Sequence, residues 1–174
     1  MTEQARAKRG AWRRFTAVWH RVLSVLLAIS VAILIIPVAL QIFSRYTSLI
    51  PSYIWTEEMA RFLFVWMIMI GAMVAMREGL HFIVDMWPRL SPRKNAALEL
   101  VSGLAVLLFA AVFVYAGWEF TAFAIYRISE LAELPLWLIH MAWPLLGVSW
   151  LAFHGERMYD LWQVFTGKRE GLDS

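Results

Sequence analysis

The chain has 174 residues, of which 61% are apolar and 17% charged, with a formal net charge of +3. Soluble domains average roughly 45–50% apolar and about 25% charged residues, and a fold of this size cannot hide the excess from water. The composition excludes an ordinary soluble globule, and the length excludes a large multi-domain enzyme. There is no cysteine, which removes disulfides, thiolate zinc sites, iron–sulfur clusters and a cysteine nucleophile.

Four apolar stretches each approach the roughly 20 residues needed to cross about 30 Å of hydrocarbon. The first, Val22–Phe43, contains no charge but holds Pro37, which should kink the helix or end its regular part early. It follows a basic lead. The run is too long for a signal peptide and lacks a small-residue cleavage site before Gln41, so it reads as an uncleaved span. The second stretch runs from about Thr56 to Met76, with Thr56 as a candidate N-cap and Glu57 and Glu58 suited to the positive end of the helix dipole. Between Glu78 and Leu90 the chain is too polar to cross. There Leu80, Ile83, Val84 and Trp87 recur at helical spacing opposite His81, Asp85 and Arg89, the pattern of a short helix lying in the interface. Ser91-Pro92 reads as an N-cap followed by proline in the first turn, so the third helix should start before its membrane portion at about Leu98–Phe123. The fourth stretch is Leu134–Phe153.

The fold class expected is therefore an all-α membrane protein: four transmembrane helices plus a short interfacial amphipathic helix between helices 2 and 3. Its parts are a basic cytoplasmic N-terminal segment (1–21), a four-helix membrane domain (22–154) and a cytoplasmic tail (155–174). The N-terminal segment, the middle connection and the tail carry thirteen Lys and Arg; the other side carries only Arg45, Arg61 and Arg127. By the positive-inside rule both termini face the cytoplasm. The basic residues are then explained by membrane lipids and topology, and no nucleic-acid partner is expected.

Several residues could carry chemistry. Arg45 with Trp55, Glu57, Glu58 and Arg61 forms the densest cluster, at the outer end of the first hairpin. Glu57 and Arg61 are an i,i+4 pair in the favourable order, and Arg45 could reach either glutamate, so the four charges are expected to act as one network. Glu119 is the only acid deep in an apolar run, and one carboxylate is a poor cation cage. His20 and His154 fall at the same ends of the first and fourth spans, where a bis-histidine haem is conceivable. Five methionines in the second span suggest a face turned to lipid or a partner, and Gly71-Ala72, with Ala75 one turn on, forms a patch where another helix can come close. No catalytic motif is present, no metal or cofactor is expected, and the apolar midplane gives no substrate site of the kind a self-sufficient transporter needs.

The run Gln41-Ile42-Phe43-Ser44-Arg45-Tyr46, then Trp55-Thr56-Glu57-Glu58, Arg61-Phe62, Phe64-Val65-Trp66, Gly71-Ala72, Ala75, Arg77-Glu78 and His81 through Asp85, resembles the small permease subunit of tripartite ATP-independent periplasmic (TRAP) transporters, the DctQ-like family. The resemblance implies a sodium-coupled system importing an organic acid or related solute. Its large multi-span permease carries the solute, and a periplasmic solute-binding protein delivers it. The small subunit braces the large one in the inner membrane, and the length leaves no room for a fused large permease. The residues carried over are Arg45, Trp55, Glu57, Glu58, Arg61, Gly71, Ala72, Arg77, His81 and Asp85, assigned to subunit contact and membrane positioning. The rival reading is a haem- or quinone-associated membrane anchor of a respiratory complex.

Overall fold

The computed structural model describes residues 3–47, 53–78 and 92–166, with side chains for 10–47, 53–78 and 97–166. It is all-helical: α1 (Glu3–Tyr46), α2 (Trp55–Glu78), α3 (Pro92–Ala124), α4 (Trp137–His140) and α5 (Ala142–Phe165). The expected interfacial helix lies outside the described residues. Among the described residues three helices are long and apolar enough to cross a membrane: Gly10–Tyr46, Trp55–Glu78 and Ala97–Ala124.

The expected fourth span is occupied differently. It opens in a loop, where Ile128 and Pro135 form an isolated antiparallel bridge, and continues as α4 and α5. Met141 between them is itself helical (φ −63°, ψ −18°), and its N–H donates to the Trp137 carbonyl at 2.9 Å. The two pieces therefore follow one another with little interruption. The second half of α5 carries Glu156, Arg157 and Asp160, which is why α5 as a whole falls short of the apolarity of the other three.

α1 is one helix of 44 residues, about 66 Å at about 1.5 Å per residue, so the basic lead and the first apolar run share one rod. Pro37 is buried inside it and does not end it, although a proline removes one helix hydrogen bond. Pro92 opens α3 ahead of its membrane portion, as the proline signal predicts. Thr56 is not an N-cap: it lies inside the first turn of α2, and its buried hydroxyl donates to the Tyr53 carbonyl at 2.7 Å.

The helices pack as a row. α1 lies on α2, α2 on α5, and α5 on α3, with α4 against α3. The main core joins Leu23 of α1, Met69, Ile70, Met73 and Val74 of α2, and Ala142, Leu146 and Phe153 of α5. Met73 is fully buried, so part of the methionine-rich face of α2 turns inward, against the expectation of a lipid- or partner-facing stripe. Outward faces of α1 and α3 are apolar and open, as at Val25, Ile29, Ile36, Leu104 and Leu108. In water such surface would drive aggregation; in hydrocarbon it is the normal exterior.

α3 and α5 approach most closely. Along α3 the buried small residues Gly103, Ala110, Gly117 and Ala124 fall seven apart, the repeat that keeps one helix face on a neighbour in left-handed packing. A Cβ built on Gly147 of α5 would sit 2.7 Å from the Ala110 carbonyl oxygen, and one on Gly117 would sit 2.7 Å from the Pro144 nitrogen. These are backbone atoms that cannot swing away.

Candidate functional site

Three indole N–H groups inside the row are met between elements. The indole N–H of Trp66 donates to the Leu138 carbonyl at 3.1 Å, that of Trp150 to the Ala72 carbonyl at 3.1 Å, and that of Trp19 to the Ser149 hydroxyl at 3.2 Å. Tryptophan offers a large apolar body with one donor that needs a partner when water is absent. Each of these three rings spans two elements and fixes their relative height.

The charged groups gather at the two ends. At one end Arg13 of α1 pairs with Glu156 and Asp160 of α5, at 3.1 and 2.8 Å. The Thr16 hydroxyl meets Glu156 at 3.2 Å. Arg77, at the end of α2, donates to the Thr16 carbonyl and lies over the Phe153 ring, 5.6 Å from its centroid. Arg157 of α5 pairs with Glu99 of α3 at 2.7 Å, both largely shielded at 17% and 26% exposure. All four long helices are thus tied at the end where α1 and α3 begin and α2 and α5 finish. Of the residues assigned from the resemblance to subunit contact and membrane positioning, only Arg77 belongs here among those described. Arg13, Glu99, Glu156, Arg157 and Asp160 were missed as a group. The signal was three acids interleaved with the basic flanks, where a pure topology signal would need only the bases.

At the other end the expected four-charge network divides. Glu57 pairs with Arg61 at 3.5 Å, both about two-thirds exposed. Glu58 goes elsewhere: its carboxylate accepts the backbone N–H of Leu131 at 3.0 Å and of Ala132 at 2.7 Å. Successive helix residues point about 100° apart, which turns Glu58 toward the loop while Glu57 stays on the Arg61 side; Arg61, three residues on, still acts on Glu58 through its charge. The loop that Glu58 holds is itself closed by Ser129 N–H to the Leu134 carbonyl at 2.8 Å and Leu136 N–H to the Arg127 carbonyl at 2.9 Å. Arg45 forms no ion pair among the described residues. It lines a cleft of about 550 Å³ with Gln41, Ser44, Tyr53, Ile54, Thr56 and Glu57.

The remaining candidates separate further. Trp55 is half exposed and lies 6.3 Å from the Tyr53 ring. Gly71 meets only Leu27, at an ordinary 3.8 Å, and Ala72 serves through its carbonyl; the tight glycines are those of the α3–α5 contact. His81 and Asp85 lie outside the described residues. His20 faces Glu78 of α2 at 3.4 Å, whereas His154 packs toward Gly103 of α3. The two rings address different neighbours and do not frame a common haem site. Among the described residues no group of three or more His, Asp or Glu could hold a metal ion.

A helical row with apolar outer faces and charges confined to its ends defines a multi-pass membrane protein. The family model for "Tripartite ATP-independent periplasmic transporters, DctQ component" matches residues 34–164, and the chain belongs to that family of inner-membrane transporter components, which are not enzymes. It is similar to the C4-dicarboxylate TRAP transporter small permease protein DctQ of Rhodobacter capsulatus, 33% identical over 115 residues, covering 63% of this chain and 50% of that protein. It is also similar to a putative TRAP transporter small permease protein of Haemophilus influenzae, 26% identical over 94 residues, covering 53% of this chain and 58% of that one. The matched part spans about half the length of these curated relatives.

Proposed function

We propose that the chain is the small membrane subunit of a TRAP-type, sodium-coupled secondary transporter that imports an organic acid or related solute. It acts as scaffold for a large multi-span permease that works with a periplasmic solute-binding protein. Both termini face the cytoplasm, and α4 with the first half of α5 completes a fourth crossing. The observation that carries the scaffold role is the row itself. Its interior is closed by apolar packing and indole hydrogen bonds, while its outer faces stay open and apolar. A sodium or carboxylate site needs several converging polar ligands, usually with unwound backbone; α1, α2 and α3 run unbroken through their apolar stretches. Such a body can hold a partner at fixed depth while the partner moves.

Reconstitution tests this reading. In liposomes with an inward sodium gradient, this chain alone should give no solute uptake whichever binding protein is added. Addition of the large permease and the solute-loaded binding protein should give uptake that collapses without sodium. Uptake by this chain alone, or undiminished uptake by the large permease without it, would overturn the scaffold role.

A further inference from the structure

The cleft between the end of α1 and the start of α2 has more hydrogen-bond donors than the protein uses. Its volume, about 550 Å³, lies within the roughly 300–1,000 Å³ of small-molecule sites. Of its polar lining, the Ser44 hydroxyl is committed to the Gln41 carbonyl at 3.1 Å and the Thr56 hydroxyl to the Tyr53 carbonyl at 2.7 Å. Two donors remain. Among the described residues the buried Gln41 amide nitrogen has no hydrogen-bond partner and the Arg45 guanidinium has no carboxylate. Glu57 shares the lining but is engaged by Arg61, and Glu58 is turned to the Leu131–Ala132 backbone. Of the charged groups lining the cleft, Arg45 is the cation that Glu57 does not take up, since Glu57 is engaged by Arg61. The missing partner is therefore an anionic acceptor.

The surroundings say which. Arg45 stands in the last turn of an apolar helix and Glu57 in the first turn of the next. Tyr46, Tyr53 and Trp55 are exposed beside them, the aromatic residues that settle at headgroup level. A guanidinium fork matches phosphate oxygens, and a hydrogen bond between charged groups is about twice as strong as a neutral one. We infer that this cleft seats the phosphate of an anionic phospholipid, received by Arg45 and the Gln41 amide. The assignment holds whichever way the termini face and whatever solute the transporter carries.

The test uses the full chain in mild detergent, with phosphatidylglycerol or phosphatidylcholine titrated in and bound lipid counted by native mass spectrometry. The first phosphatidylglycerol should bind more tightly than phosphatidylcholine. Combining Gln41→Leu with Arg45→Gln should weaken that first binding about ten-fold or more. Arg45→Lys, an exposed change that cannot unfold the chain, should weaken it less, because it keeps the charge and loses the fork. Arg127→Gln removes a charge at the same end outside the cleft and should leave lipid binding unchanged. Equal binding by the natural chain and the double variant would overturn the assignment. So would displacement of the lipid by an equal concentration of glycerol 3-phosphate, which would make the cleft a site for soluble phosphate esters. Loss of large-permease co-purification in Arg45→Gln with lipid binding intact would make Arg45 a protein contact and also overturn it.

Discussion

Glu57 and Glu58 show what one step along a helix does to two identical side chains. Glu57 is two-thirds exposed, and its pair with Arg61 is worth under about 1 kcal/mol in water. Glu58 accepts two backbone N–H groups of the α3–α4 loop, and a hydrogen bond to a charged acceptor is stronger than a neutral one. We expect Glu58→Ala to lower the thermal midpoint and to speed proteolysis within 127–136, because two loop N–H groups lose their acceptor. Glu58→Gln keeps an acceptor and should lose less, and Glu57→Ala should change neither measurement. Within the same loop Glu133 has a left-handed backbone, φ 53°, which costs a non-glycine residue about 1–2 kcal/mol. Glu133→Gly relieves that strain and should leave stability unchanged or slightly raised, read as a thermal midpoint at or above that of the natural chain. The charges at this end were legible in sequence as a cluster, because helix-start chemistry is local. Their division was not, because the partner of Glu58 lies more than seventy residues away in a loop with no sequence signature.

At the scale of elements, the helices themselves could be read from apolar run length and from proline and acidic punctuation, since each is a local property. Which faces meet could not be read as readily. The patch at Gly71-Ala72 is conspicuous as a pair, yet the structure places close backbone contact on Gly117 and Gly147. The seven-residue spacing of Gly103, Ala110, Gly117 and Ala124 was the available sign, scattered over about six turns of apolar sequence. This contrast is measurable. Gly147→Ala must push the Ala110–Val114 backbone of α3 away, and overpacking of this kind costs about 1–3 kcal/mol. Gly71→Ala adds a methyl at ordinary contact distance from Leu27 and should be near neutral. Gly103→Ala meets the flexible end of Met158 and the His154 ring and should fall between them. Thermal unfolding in detergent gives the order; a Gly71→Ala loss equal to that of Gly147→Ala would contradict it. At the tied end, Glu99→Gln should destabilise more than Arg13→Gln. The Glu99–Arg157 pair is short and shielded, whereas Arg13 is about half exposed, and exposed pairs contribute little.

At the scale of the whole molecule, the proposed fourth crossing has a geometric consequence. The described ion pairs bring the N-terminal part of α1, the end of α2, the start of α3 and the second half of α5 to one end of the row. Glu58 brings the start of α2 to the α3–α4 loop at the other end. If that row stands across the bilayer, the loop and the end of α5 must lie on opposite sides, although the polar half of α5 keeps it from qualifying as a span by apolarity alone. Thirteen of the sixteen Lys and Arg lie on the side assigned to the cytoplasm, and charge of this kind resists translocation. The absence of cysteine makes a direct measurement simple, because any introduced thiol is unique. In intact cells exposed to a membrane-impermeant maleimide, Glu133→Cys should label at once. Arg14→Cys and Thr166→Cys should label only after permeabilisation. Ile29→Cys, on the exposed apolar face of α1, should resist labelling in both states, because a thiol in hydrocarbon does not ionise to the reactive thiolate. Labelling of Glu133→Cys and Thr166→Cys from the same side would mean that α4 and α5 do not cross, and the chain would then have three spans with its ends on opposite faces.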